Sequence, residues 1–188
     1  MADQSNPNSS QAGNPAQAEA KRVSTSHAND TDIPPTRIPP TRKFLTAWSD
    51  MDMNGHMANT AYLNKAGEAR VLILREMGFP REEFTRLRLG VVVMKDEIEY
   101  RREVGWLDEI VVTLLIAGLA PDASRFKFRH DVLAADGALC ARITTTGGFM
   151  NLDERKLVAP PPGVLALYQS LPRTDDFAEL PSSIKARS

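Results

Sequence analysis

The chain has 188 residues, three histidines, a single cysteine and a formal net charge of −1, with a sequence pI near 6.3. That length suits one domain with tails and a sizeable core. The near-neutral charge gives no electrostatic case for nucleic-acid binding, no apolar run is long enough to span a bilayer, and Cys140 alone excludes an internal disulfide or a cysteine-based zinc cluster. The opening residues, MADQSNPNSS, lack a basic stretch followed by an apolar one, so a soluble cytoplasmic protein is the expectation.

Residues 1–42 are rich in Ser, Asn, Ala, Gln and Pro, and this composition predicts a disordered tail. Its end, IPPTRIPPTR, is a tandem repeat whose paired prolines favour a stiff extended spacer. Ordered structure is expected over residues 43–172. KFLTAW reads as a first strand, followed by a polar loop. From residue 58 to 77 the apolar positions Tyr62, Ala66, Ala69, Ile73 and Met77 recur at three- and four-residue spacing, the mark of one helix face. Gly78 and Pro80 supply a stop, and Gly67 suggests close approach of another backbone.

Four strand-like runs follow. Residues 89–102 begin with LGVVVM and turn polar. Residues 107–120 are almost continuously apolar or β-branched, as in a strand covered on both faces. Residues 124–135 alternate, with Phe126, Phe128, His130 and Val132 on one side and Arg125, Lys127, Arg129 and Asp131 on the other. Asp136-Gly137 is a hairpin signal leading into residues 138–152, where Cys140 reads as a core residue and Gly147-Gly148 as a bulge or bend. A short helix over 161–171 and a polar tail over 173–188 complete the chain. The order predicts an α+β fold: one long helix against a five-stranded antiparallel sheet, the last four strands forming a meander. The apolar surplus of residues 107–120 predicts burial against a second subunit.

Chemically capable residues concentrate in residues 48–62, WSDMDMNGHMANTAY. A carboxylate just before a helix start lies near unpaired N–H groups and the positive end of the helix dipole, an arrangement suited to acyl transfer. Taken singly, these residues fit a polar turn that caps a helix. Asp50, Asp52, Asn54 and Gly55 match the first half of a calcium loop, but its twelfth position would be Ala61 in place of glutamate. His27, His56 and His130 are scattered, Gly147-Gly148 lacks the lysine of a phosphate loop, and no G-x-S-x-G elbow occurs, so neither metal nor cofactor is expected.

The run D-M-D-M-N-G-H-M-A-N-T-A-Y-L, followed by Glu68-Ala69-Arg70, resembles the signature of hotdog-fold thioesterases of the 4-hydroxybenzoyl-CoA thioesterase type, close to D-x-D-x-x-G-H-V-N-N-x-x-Y-L and then E-x-x-R or E-x-R. Met57 and Ala58 are the departures. The resemblance covers about residues 43–157 and includes V-V…Y-R-R within 91–102. It implies a hotdog fold and hydrolysis of an acyl-CoA to a carboxylate and a free thiol. It places the chemistry on Asp52, as nucleophile or general base, and carbonyl polarisation on backbone N–H groups around Asn59. Asp50, with Asn54 and Gly55, would order the loop. His56 and Asn59 would position the loop or touch substrate, and Tyr62 would pack near the acyl pocket or in the core. It further implies no metal or cofactor, and a homodimer, or a tetramer of dimers, joined through sheet edges with active sites at the interface. The rivals are a hotdog dehydratase or hydratase, whose histidine motif is missing here, and a non-catalytic acyl-CoA-binding protein, against which Asp52 speaks. The sequence does not specify the acyl group.

Overall fold

The computed structural model describes residues 38–184; the tail expected over residues 1–37 lies outside that range. The end of the proline repeat already belongs to strand β1 (Thr41–Leu45). A one-turn 3-10 segment, Trp48–Asp50, opens the polar loop. The predicted helix follows as α1, Asn59–Glu76, burying Ala61, Tyr62, Ala66, Ala69, Ile73 and Leu74. Gly78 ends it with a φ of +90°, a conformation in which a side chain would be strained. Gly67 does not mark a close backbone: a methyl there would meet only the Arg70 guanidinium, at 3.9 Å. A short α2, Arg81–Arg86, occupies the connection between α1 and the next strand.

One sheet holds β2 (Leu89–Tyr100), β3 (Glu109–Thr113), β4 (Leu115–Leu119), β5 (Arg125–Ala134), β6 (Leu139–Asn151), β7 (Lys156–Val158) and β8 (Arg173–Glu179), together with β1. The expected simple meander is not what forms. β2 crosses to the far side and pairs with β6, β6 pairs with β5, and β5 pairs with both β3 and β4. β1 adds to β3, and β8 lies parallel to β4. The α+β class and the helix-on-antiparallel-sheet plan hold, while the strand count rises from five to eight.

The extra strands have local causes. The predicted run 107–120 divides at Thr113, where side-chain bonds with β5 replace the backbone ladder. The Thr113 hydroxyl accepts the Asp131 N–H at 3.0 Å, and His130 Nδ1 bonds the Thr113 carbonyl at 2.8 Å. Leu114 then donates to the Pro40 carbonyl at 2.9 Å. The expected polar tail after Pro172 instead supplies β8, anchored by a two-pronged Arg129–Asp176 pair. The helix expected over 161–171 is α3, Pro162–Ser170.

The core fills the space between α1, α3 and one face of the sheet. Phe126, Phe128 and Phe149 surround Tyr168 with ring centroids 5.1 to 5.2 Å from it. All four are fully buried, each ring contributing on the order of 2–3 kcal/mol. The opposite face carries the Arg142–Asp131 pair and other polar groups, leaving one side of the sheet to water. From Ile110 to Ala120 this run is buried or half-buried within the single chain, and of its apolar residues Leu107 alone stands exposed, so it leaves no broad apolar surplus for a second subunit. Exposed apolar surface is also found on β2, whose only partner strand among the described residues is β6 and whose Val91, Val93 and Met94 remain 40–51% exposed. Among the described residues no helix is long and apolar enough to cross a membrane.

Candidate active site

The loop between β1 and α1 is closed by its own backbone. Asp52 donates its N–H to the His56 carbonyl at 2.8 Å, and Gly55 donates to the Asp52 carbonyl at 3.1 Å. Gly55 has a φ of +78°, which explains a glycine at this turn. Met57 and Ala58 then tie the loop down, donating to the Val104 and Asp50 carbonyls at 2.7 and 2.8 Å.

The two aspartates differ sharply in surroundings. Asp50 accepts the Ala47 N–H at 2.8 Å and pairs with Lys65 of α1 at 3.2 Å. It therefore fastens the 3-10 segment to the helix. Asp52 is exposed, and one oxygen accepts the N–H groups of Asn54 and His56 at 2.8 and 3.2 Å. The Asn54 amide reaches its other oxygen at 3.4 Å. These bonds, led by the Asn54 N–H, hold the Asp52 carboxyl below its usual pKa of 3.8, so it is ionised at neutral pH. The turn through Gly55 forms as expected, but the carboxylate bonds the amides of its own loop and makes no bond to the helix start.

That start is left partly unpaired. The N-cap, Ala58, has no side-chain cap. Asn59 turns its side-chain oxygen to the Thr60 N–H at 2.9 Å, and Ala61 donates to the Ala58 carbonyl. The Asn59 N–H has no partner among the described residues, and it lies at the positive end of an 18-residue helix. Asp52, Asn59, His56 and Tyr62 line one cavity of about 400 Å³, which brings together the four residues given catalytic or binding roles from the sequence.

Five further residues line this cavity, Met57, Tyr100, Arg101, Arg102 and Glu103, and none of them was foreseen as a site residue. Tyr100, at the end of β2, donates to the Asn59 carbonyl at 3.1 Å and packs edge-on against Tyr62 at 5.4 Å. Glu103 lies 3.5 Å from His56, and Arg102 offers its carbonyl to the Tyr62 hydroxyl at 3.5 Å. Burial pushes Tyr62 up to about 12, so its phenol stays protonated and can donate. Tyr100, Arg102 and Glu103 come from a segment about forty residues downstream of the loop, beyond the reach of local spacing; the Y-R-R stretch was their only signal.

A family model described as the thioesterase-like superfamily matches residues 46–167. No curated protein matches the chain. Similar solved structures include a Staphylococcus aureus protein in complex with CoA, 19% identical, covering 73% of this chain and 88% of that one at a TM-score of 0.65. A 1,4-dihydroxy-2-naphthoyl-CoA thioesterase from Synechocystis is 20% identical over 70% of this chain and 96% of its own, with a TM-score of 0.63. A protein from Aquifex aeolicus is 25% identical over 69% and 99%, with a TM-score of 0.64. The shared fold is the hotdog.

Proposed function

The chain belongs to the thioesterase-like superfamily and is a thioester hydrolase; we propose that it acts on an acyl-CoA and that Asp52 carries the reaction. The observation behind this reading is the cavity that holds the ionised Asp52 carboxylate together with the free Asn59 N–H. Thioester cleavage needs a group to attack the carbonyl carbon, directly or through water, and a donor where negative charge collects on oxygen. In this reading the Asn59 N–H and the helix dipole receive the oxyanion. Asp52 attacks the carbonyl itself, or takes a proton from the attacking water. The C–S bond then breaks and the thiolate leaves and takes up a proton; on the water route the acyl group departs directly as a carboxylate, and on the direct route it stays on Asp52 as a mixed anhydride that a water molecule then hydrolyses to release the carboxylate. The Tyr100 bond to the Asn59 carbonyl fixes the helix start, and His56 with Glu103 borders the entrance.

The same reading includes a homodimer, or a tetramer built from two dimers, joined along the open edge of β2. Antiparallel pairing of Leu89–Tyr100 with its twin about the strand midpoint sets Tyr100 of one protomer opposite Leu89 of the other. The Asp52 cavity of one protomer then adjoins the groove between α1, α2 and β2 of its partner. A lone buried cysteine suits a reducing compartment, and a cytoplasmic location belongs to this reading.

The test is release of free thiol from a panel of acyl-CoA thioesters. Cleavage that Asp52→Asn abolishes in a folded protein supports the assignment. Binding of acyl-CoA without any thiol release would replace it with the non-catalytic reading.

A further inference from the structure

A second cavity, of about 360 Å³, opens between α1, α2 and the exposed edge of β2. Its walls are apolar: Val71, Leu74, Phe84, Leu89, Val91 and Val93. Its polar lining consists of Arg70, Arg81 and Tyr168, and no acidic side chain lines it. Neither guanidinium makes a hydrogen bond or ion pair among the described residues. Arg81 is exposed at the rim, while Arg70 is half-buried with its guanidinium 5.8 Å over the Phe128 ring. Tyr168 is fully buried, and its hydroxyl has no partner among the described residues.

These groups need an account. A half-buried cation without a counter-ion and a buried hydroxyl without an acceptor each cost free energy. Asp96 is close enough to influence Arg70 but forms no ion pair with it, and one of its carboxylate oxygens accepts the Thr145 hydroxyl at 2.6 Å. His130, behind Phe128, adds no second buried cation: burial, with Arg70 nearby, lowers it to about 4, so it is neutral at pH 7. What remains is an apolar chamber with an unpaired guanidinium and a phenol donor inside it. A carboxylate answers both, one oxygen for each, and charge-assisted bonds to a planar guanidinium are the strong kind.

Resting on the acyl-CoA hydrolase reading above, we propose that this cavity receives the acyl end of the substrate, and that the acyl group bears a carboxylate at its far end, held by Arg70 and Tyr168. The apolar walls hold the methylene chain, which favours an acyl terminus over the phosphates of CoA as the anion. Arg70 and Tyr168 are thus specificity-determining residues, distinct from Asp52.

The test uses matched thioesters that differ only in the terminal carboxylate: succinyl- against butanoyl-CoA, adipoyl- against hexanoyl-CoA, and suberoyl- against octanoyl-CoA. The full-length enzyme should prefer the carboxylated member of at least one pair by about 10- to 100-fold in kcat/KM. Arg70→Gln and Tyr168→Phe should each pull that ratio towards unity, with Arg70→Lys retaining part of it. Preference for the uncharged member of every pair overturns the proposal while leaving the thioesterase reading intact. So does an equal loss on both members in the variants, which would assign Arg70 to the CoA phosphates or to packing. If nothing is cleaved, the thioesterase reading falls, and calorimetry on adipoyl- and hexanoyl-CoA decides this one: tighter binding of adipoyl-CoA supports it, and equal binding overturns it.

Discussion

Asp50 and Lys65 meet at 3.2 Å across the junction of the loop and α1, their side chains only 13% and 16% exposed. Asp52, two residues on, is exposed and bonded only within its own turn. The two carboxylates therefore separate into a fastening and a reactive group, although they look alike in sequence.

Replacing each with asparagine should separate these roles. Asp50→Asn leaves the Lys65 ammonium with little water and no anionic partner, so it should cost about 1–3 kcal/mol of stability. Asp52→Asn keeps an acceptor oxygen for the Asn54 and His56 N–H groups, so its melting temperature should stay close to that of the parent. Its turnover should drop by about 10²–10⁴-fold. Thermal unfolding and thiol release on one preferred thioester check both. A folded Asp52→Asn with near-native turnover removes Asp52 from the chemistry.

His130 should make the fold acid-sensitive. Its folded pKa of about 4 lies below its ordinary 6.5, so the folded state resists protonation that the unfolded chain accepts. Its contribution to stability is fully present above pH 6.5 and is lost as pH falls from there towards 4. For a fully buried ring the loss is on the order of 3 kcal/mol. Denaturant unfolding at stepped pH should show this slope, and His130→Gln should flatten it. An unchanged slope in the variant would assign the acid sensitivity to other groups.

The parts of the fold legible in the sequence were those with a local cause. The three- and four-residue spacing from Tyr62 to Met77 gave α1 to within a residue at each end, and alternation gave β5. The break at Thr113 was not legible, because it depends on β5 side chains that reach it only in the fold. Nor was β8: its residues are mostly polar, and it joins the sheet through backbone pairing with β4. For the site, the Asp52 loop announced itself as a contiguous motif, whereas Tyr100 and Glu103 arrive from the end of β2 and the turn after it. Arg70 was visible within the helix signature, but its lack of a partner appears only in three dimensions.

Two glycines should respond oppositely to alanine. A methyl on Gly147 would fall 2.6 Å from Phe126 Cζ and 2.7 Å from the Val92 carbonyl. Phe126 is wedged among Phe128, Phe149 and Tyr168 and cannot yield, so Gly147→Ala should cost about 1–3 kcal/mol. The expected bend at Gly147-Gly148 is in fact a bulge of the facing strand, between Val93 and Lys95, packed onto these glycines. Gly67→Ala, inside α1 with only the flexible Arg70 side chain nearby, should gain about 0.5–1 kcal/mol. Denaturant midpoints measure both, and a Gly147→Ala protein as stable as the parent would contradict the packing described for Phe126.

The last expectation concerns self-association. β2 is twelve residues long, and its backbone is unpaired along the side away from β6. Val91 and Val93 stand 41% and 51% exposed beside that edge, with Tyr100 at 50% near its end. A long open strand edge with apolar side chains invites pairing, and a two-fold partner closes it without leaving another edge free. The run 107–120, which had suggested a dimer from its apolar content, is buried or half-buried from Ile110 onwards and contributes nothing to that edge. Light scattering at micromolar protein should therefore give a dimer or tetramer mass. Val93→Asp sets a carboxylate opposite the partner's Asp96 in the register given above while disturbing little inside the protomer, so it should shift the mass towards the monomer with circular dichroism unchanged. A monomer mass for the parent protein would leave β2 as a free edge, and the active site would then have to be complete within one chain.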